Sequence, residues 1–283
     1  MVLLFRKKVI SLFCFLIILV FAIFLSFNMS DSFATDLDKK SFFNIDVSST
    51  LNDITKSNEK IAYLTFDDGP TLKATGKILD ILKAENVKAT FFVVGKHVKE
   101  HPELVKREYD EGHYIANHGY NHNNKLLYSS MENFKKEVEN TDLEIATALN
   151  LPSYCSHIFR FPNGYMSKKY KYEKKEALNI LSNLNYVYVD WNCLNKDSET
   201  KYSDAQLLAN LKNSAKNKGT LVILMHDTAD VNKTYNVLKE SIDYLKNSGY
   251  SFRNFYDFVN KSEKNLWFFS VNLSVCKNLC CCF

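Results

Sequence analysis

No C-x-x-C pair occurs in the middle of this 283-residue chain, and most of its seven cysteines lie at the ends. Cys14 sits in an N-terminal apolar run, and Cys276, Cys280, Cys281 and Cys282 in the last few residues. Only Cys155 and Cys193 remain, which excludes a thiolate zinc site and points to two separate buried thiols rather than one disulfide. Arginine is scarce. Lysine supplies nearly all the positive charge and is scattered, so the net charge of +4 describes a solvated, slightly basic surface. A nucleic-acid role needs a concentrated basic patch, and there is none. Long hydrophobic runs are also lacking, with one exception at 9–27.

That exception follows Arg6-Lys7-Lys8 and is about as long as a helix needs to cross a bilayer. The basic N-terminal segment, 1–8, stays in the cytoplasm and the remainder lies outside. A cleavable signal peptide is the rival, with Ser32-Phe33-Ala34 as its cleavage site. The run is longer than a usual signal core, which favours an uncleaved anchor. Both readings make the rest extracytoplasmic. Residues 28–58 are rich in Ser, Asp, Asn and Lys without periodicity and read as a flexible linker. Residues 263–283 read as an irregular Cys-rich tail.

With 46% hydrophobic residues, the chain can bury one good-sized core, which the pattern places in a single domain over 59–262. Short apolar runs at 61–66, 89–94, 114–116, 158–159, 186–189, 221–225 and 251–255 read as strands. Amphipathic helices read at 74–85, 103–110, 131–149, 168–184, 204–216 and 235–246. Alternating strand and helix implies parallel pairing and an α/β fold. The number of repeats suggests a barrel with about seven parallel strands rather than an open sheet. In such folds chemistry gathers at the C-terminal strand ends. Asp67-Asp68, His118, Arg160, Asp190 and His226 each closely follow an expected strand.

Adjacent carboxylates after a strand point in different directions, so one of Asp67 and Asp68 can hold a metal while the other handles a proton. His118 and His122, four apart, can share one divalent ion, as can His97 and His101. The latter pair lies among Lys96, Lys99 and Glu100 at the start of a helix and reads as surface. The former follows a strand amid Asn117, Asn121 and Asn123, where a site belongs. Two His and one Asp leave room for water or substrate, as a catalytic metal requires. The imidazoles favour zinc, and the Asp leaves cobalt, nickel or manganese open. Arg160, in a Pro/Gly loop, can pair with a buried carboxylate and hold it ionised. Trp191 can wall a sugar site or serve as half-buried packing. His226 can titrate near neutral pH and donate a proton. His113 and His157 read as structural.

Five motifs stand in order between about 61 and 256: T-F-D-D-G-P at 65–70, H-G-Y-N-H at 118–122, R-F-P-N-G at 160–164, D-W at 190–191 and L-M-H-D at 224–227. Together they closely resemble the polysaccharide deacetylases, carbohydrate esterase family four. The resemblance implies a distorted (β/α) barrel and a metal-dependent hydrolase that removes N-acetyl groups from a glycan. It implies Asp67 as catalytic base, with Asp68, His118 and His122 as metal ligands. It pairs Arg160 with Asp67 and Asp190 with His226, the general acid. It gives the Asn163 N–H to an oxyanion hole, and Trp191 and Leu224 to the groove that accepts the acetyl methyl. Gly119 stands where many members carry Ser or Thr, a departure that removes a loop-steadying hydroxyl. Phe161 and Asn163 depart at the groove wall. Export points to peptidoglycan as substrate. Chitin-like oligomers or exopolysaccharide come second, and an inactive membrane-tethered wall-binding module is the rival of another class. The scattered charge leaves no nucleic-acid partner, and a monomer is expected.

Overall fold

The computed structural model describes residues 55–228 and 234–257. The expected anchor, most of the linker and the Cys-rich tail lie outside them. Among the described residues no helix is long and apolar enough to cross a membrane.

The first strand, β1 (Ile61–Asp67), is buried along its whole length, as a strand covered on both faces must be. Three neighbours pair with it in parallel: β2 (Thr90–Val93), β7 (Leu221–His226) and the short β8 (Ser251–Arg253). Outward from β2 run β3 (Tyr114–Asn117), β4 (Ile158–Phe159) and β5 (Val187–Tyr188). Beyond β7 lies β6 (Cys193–Leu194), a pair of residues too short to read from the sequence. The order is β5-β4-β3-β2-β1-β7-β6, with β8 off this path on β1. Every pairing is parallel, so the curled sheet is the distorted barrel that the motif order implied.

Helices carry the crossovers. They are α1 (Thr75–Ala84), α2 (Gly95–Glu100), α3 (Pro102–Asp110), α4 (Asn124–Leu127), α5 (Met131–Leu149), α6 (Lys171–Asn183), α7 (Asp204–Ala215) and α8 (Thr234–Asn247). Their ends follow local rules. The Ser130 hydroxyl accepts the Asn133 N–H at the start of α5, and Asn150 closes it in a left-handed turn at φ 55°. Ser203 and Gln206 form a reciprocal capping box on α7. One core cluster packs Leu64, Phe66, Ile78, Phe91, Leu211, Ile223 and Leu238 between sheet and helices. Another, largely aromatic, gathers Phe134, Phe159, Phe161 and Tyr186 under α5 and α6. Each such fully buried side chain contributes about 1.5–3 kcal/mol, so the strand ends are held by a rigid base. Cys155 and Cys193 are separate free thiols, not a disulfide.

Candidate active site

The sheet register sets Asp67, the last residue of β1, opposite His226, the last residue of β7. Asp68 then leaves the strand at φ 78°, and its N–H bonds the Phe92 carbonyl at 3.2 Å. His122 is likewise left-handed, at φ 50°. Two non-glycine residues in that sparsely populated region, both in one cleft, mark backbone conformations imposed by the surrounding structure. Gly69 is required where it stands, because a Cβ there would lie 2.0 Å from Asp227 Oδ2.

Asp68, His118 and His122 present one ligand atom each, all within 4.8 Å of one another. Asp68 Oδ1 lies 3.0 Å from His122 Nε2 and 3.3 Å from His118 Nε2. Neither contact is a hydrogen bond, and this buried oxygen has no donor. Burial alone would raise the Asp68 pKa. The two imidazoles outweigh it and hold the carboxyl well below its ordinary range. His118 Nδ1 sits 2.7 Å from the Arg160 carbonyl. A carbonyl only accepts, so Nδ1 carries the proton and Nε2 offers its lone pair inward. An orphaned carboxylate oxygen facing that lone pair fits a divalent cation.

The loop between the two histidines is steadied without the missing hydroxyl. Glu137 of α5, buried, accepts the N–H groups of Tyr120 (2.8 Å) and Asn121 (2.9 Å) and the Asn121 side-chain amide (2.6 Å). Gly119 has φ 82°, a conformation that suits glycine better than Ser or Thr.

Arg160 is completely buried. Its guanidinium donates to Asp67 Oδ1 (2.7 Å), Thr65 Oγ1 (2.7 Å), the Val189 carbonyl (2.9 Å) and the Asp190 carbonyl (3.1 Å). It also stacks on Phe92 at 3.9 Å. Several acceptors and one carboxylate offset the cost of burying the charge. With Oδ1 occupied, Asp67 turns Oδ2 toward His118 Nε2, 3.8 Å away.

The expected Asp190–His226 pair does not form. The carboxylate beside His226 belongs to Asp197, with Oδ1 2.7 Å from Nδ1 and Oδ2 accepting the His226 N–H at 2.8 Å. The Thr234 hydroxyl and an Asn195–Asp197 turn (3.0 Å) hold Asp197 in place. Burial works against charge on His226, but Asp197, with Asp67 and Asp68 farther off, raises its pKa to about 9. Asp190 instead accepts backbone N–H groups from the loop after β4, Tyr165 at 2.9 Å and Met166 at 3.2 Å. Asp190 lies between β5 and β6, whereas Asp197 lies after β6, where the chain passes beside His226.

Trp191 is half-buried and backs that loop, where a Cβ at Gly164 would lie 2.7 Å from its ring. Leu224 is buried on β7. The Asn163 N–H has no acceptor among the described residues. His97, expected on the surface, is half-buried. Its Nδ1 donates to the Asp68 carbonyl at 2.8 Å, because the first turn of α2 faces the loop after β1. His97 thereby lines a cleft of about 320 Å³ with Asp68, Val94, Lys96, Asn121, His122 and Thr228. The histidine four residues on, His101, points to Glu103 instead.

A parallel barrel with Asp67, His226 and a candidate cation triad gathered at one end suits a hydrolase. The polysaccharide deacetylase signature matches residues 55–189. The putative polysaccharide deacetylase YheN of Bacillus subtilis is 35% identical over 205 residues, covering 70% of this chain and 68% of that protein. The chain belongs to the polysaccharide deacetylase family, carbohydrate esterase family four. Among solved structures it is similar to the catalytic domain of a peptidoglycan N-acetylglucosamine deacetylase from Eubacterium rectale. That match has TM-score 0.63 and 30% identity and covers 69% of this chain and 88% of the other. It is also similar to BA3943, a pseudoenzyme of the same family from Bacillus anthracis. There the TM-score is 0.60 and the identity 26%, covering 72% of this chain and 66% of the other.

Proposed function

We propose that this deacetylase acts on peptidoglycan outside the cytoplasmic membrane and depends on one divalent cation, zinc by donor preference. The observation that carries the reading is the orphaned Asp68 Oδ1 facing the His118 and His122 nitrogens. Two imidazoles and a carboxylate favour zinc without excluding cobalt, nickel or manganese. When bound, such an ion polarises the acetyl carbonyl and makes water more acidic.

The chain's own groups supply the rest. Asp67, one oxygen tied by Arg160, takes the proton of the attacking water through the other. The free Asn163 N–H donates to the oxyanion that forms on the acetyl carbon. An amine leaves badly as an anion, so the sugar nitrogen must be protonated. His226 does this from Nε2, because its Nδ1 donates to Asp197. Trp191 and Leu224 shape the groove for the acetyl methyl.

Peptidoglycan is favoured by the Eubacterium rectale relative and by the export signal at 1–27, read as an uncleaved anchor. The catalytic unit spans 59–262 after the linker, as a monomer. Chitin-like oligomers and exopolysaccharide are the other glycans the same chemistry would serve. Similarity to a pseudoenzyme makes an inactive wall-binding module the contrary reading, which a full set of ligands and both proton carriers opposes. The test is acetate release by the purified protein from peptidoglycan and from chitin oligomers, with and without chelator. Chelator-sensitive release, faster on peptidoglycan, is expected. No release with metal bound would mean a binding module.

A further inference from the structure

Lys174 on α6 is 1% exposed and forms no ion pair among the described residues. A buried ammonium is costly without partners, and here the partners belong to one loop. Its Nζ donates to the Gly164 carbonyl (2.6 Å) and the Ser167 hydroxyl (2.6 Å). The Ser167 carbonyl (3.3 Å) and the Tyr165 carbonyl (3.5 Å) share its remaining hydrogen. From the other side the Asp190 carboxylate accepts the N–H groups of Tyr165 and Met166. Asn163 and Gly164 are consecutive left-handed residues, at φ 66° and 78°, so the chain reverses here in a conformation that non-glycine residues avoid. The Asn163 side chain is tied separately, its Oδ1 accepting from Asn124 Nδ2 at 2.5 Å.

We propose that Lys174 and Asp190 are positioning residues that clamp the 163–167 turn from opposite sides and so keep the Asn163 N–H aimed at the oxyanion. The inference rests on the deacetylase mechanism above. A lysine takes the inward carbonyls and a carboxylate takes the N–H groups of Tyr165 and Met166, while the Asn163 N–H that the reaction needs is left without an acceptor among the described residues. A side chain of similar bulk without donors would strand three carbonyl oxygens and let the turn relax.

The test compares Lys174→Met, Lys174→Gln, Lys174→Arg and Asp190→Asn with the wild-type protein on a chitin oligomer and on peptidoglycan. Assays run with saturating zinc, well below each measured Tm. A donor used only in the transition state changes kcat rather than KM. Lys174→Met should lose about tenfold in kcat, less than the 10²–10³ of removing an oxyanion donor outright. KM should stay within about twofold, with metal content and the pH profile unchanged. Arg, which keeps the charge and donors, should recover part of the loss. If Met does not fold, Gln, whose shorter amide cannot serve all the acceptors Lys174 serves, should lose kcat in the same direction by a smaller factor. Unchanged kcat in the folded variants, or a rise in KM alone, overturns the clamp. Wild-type protein releasing no acetate would instead overturn the mechanism on which it rests.

Discussion

The cation half of the cleft and the acid half are assembled differently. Asp68, His118 and His122 follow directly on β1 and β3, two strands separated only by β2, and two short motifs supply all three. The acid half takes His226 from β7 and its carboxylate from Asp197, in the linker after β6, 29 residues away in sequence. The first half is a matter of spacing within motifs. The second depends on which of two acids the fold delivers. Local spacing therefore identifies the candidate ligands, while the group that sets the pKa of the proposed acid is chosen by tertiary packing.

The largest effects separate the halves outright. His118→Ala removes one of the three proposed ligands, so bound metal should fall below one equivalent and acetate release should drop to background. His226→Ala should keep full metal and lose about 10²–10⁴ in kcat, the range for one general acid. Metal analysis beside kinetics distinguishes the two. Equal metal loss in both variants would make the halves one unit and break the comparison.

A smaller effect tests the reassigned carboxylate. His226 has its pKa raised to about 9, and a general acid works only while protonated. The alkaline limb of the rate profile should therefore be a fall as pH rises through that pKa, while the acid limb belongs to Asp67 and the cation ligands. A bound cation opposes the fields of Asp67 and Asp68, so the limb of the loaded enzyme lies below 9. In Asp197→Asn the main support of the charge is gone, and the limb should move to lower pH by about one unit or more. Asp190→Asn should leave the limb where it is. The kcat/KM–pH profiles decide between the acids, and a shift in the Asp190 variant alone would restore the original pairing.

Much of this was legible in residues. Ile61–Asp67 and Leu221–His226 are apolar runs whose burial is nearly complete, so the strands and the polar groups at their ends could be read from composition alone. Cys193–Leu194 could not, because two residues carry no period. The partner of His226 could not, because Asp190 follows a strand and Asp197 follows nothing recognisable. The only local signal was Asn195-Lys196-Asp197, a turn sequence in which the Asn side chain accepts the Asp197 N–H. His97 was hidden by its neighbours. Charged residues on a short helix read as solvent-facing, while the surface it meets belongs to a loop 29 residues earlier.

The smallest effect concerns how each half is braced. Around the ligands the brace is a single carboxylate, Glu137, accepting three N–H groups from Tyr120 and Asn121 between the two histidines. Its Oε2 serves both backbone amides, and Oε1 serves the Asn121 side chain. Glu137→Gln keeps the shape and one acceptor oxygen but turns a donor toward the others, so at least one amide loses its partner. Buried groups that support metal ligands typically contribute 10–100-fold to affinity. Glu137 acts on the loop rather than on an imidazole, so the loss should sit near the lower end, about tenfold in zinc Kd by competition with a chelator. Because the cation half only has to be filled, kcat at saturating zinc should stay within about twofold of wild type. A fall in kcat with unchanged affinity would place Glu137 among the groups that tune chemistry, and the division between a half set by local spacing and a half set by packing would not hold.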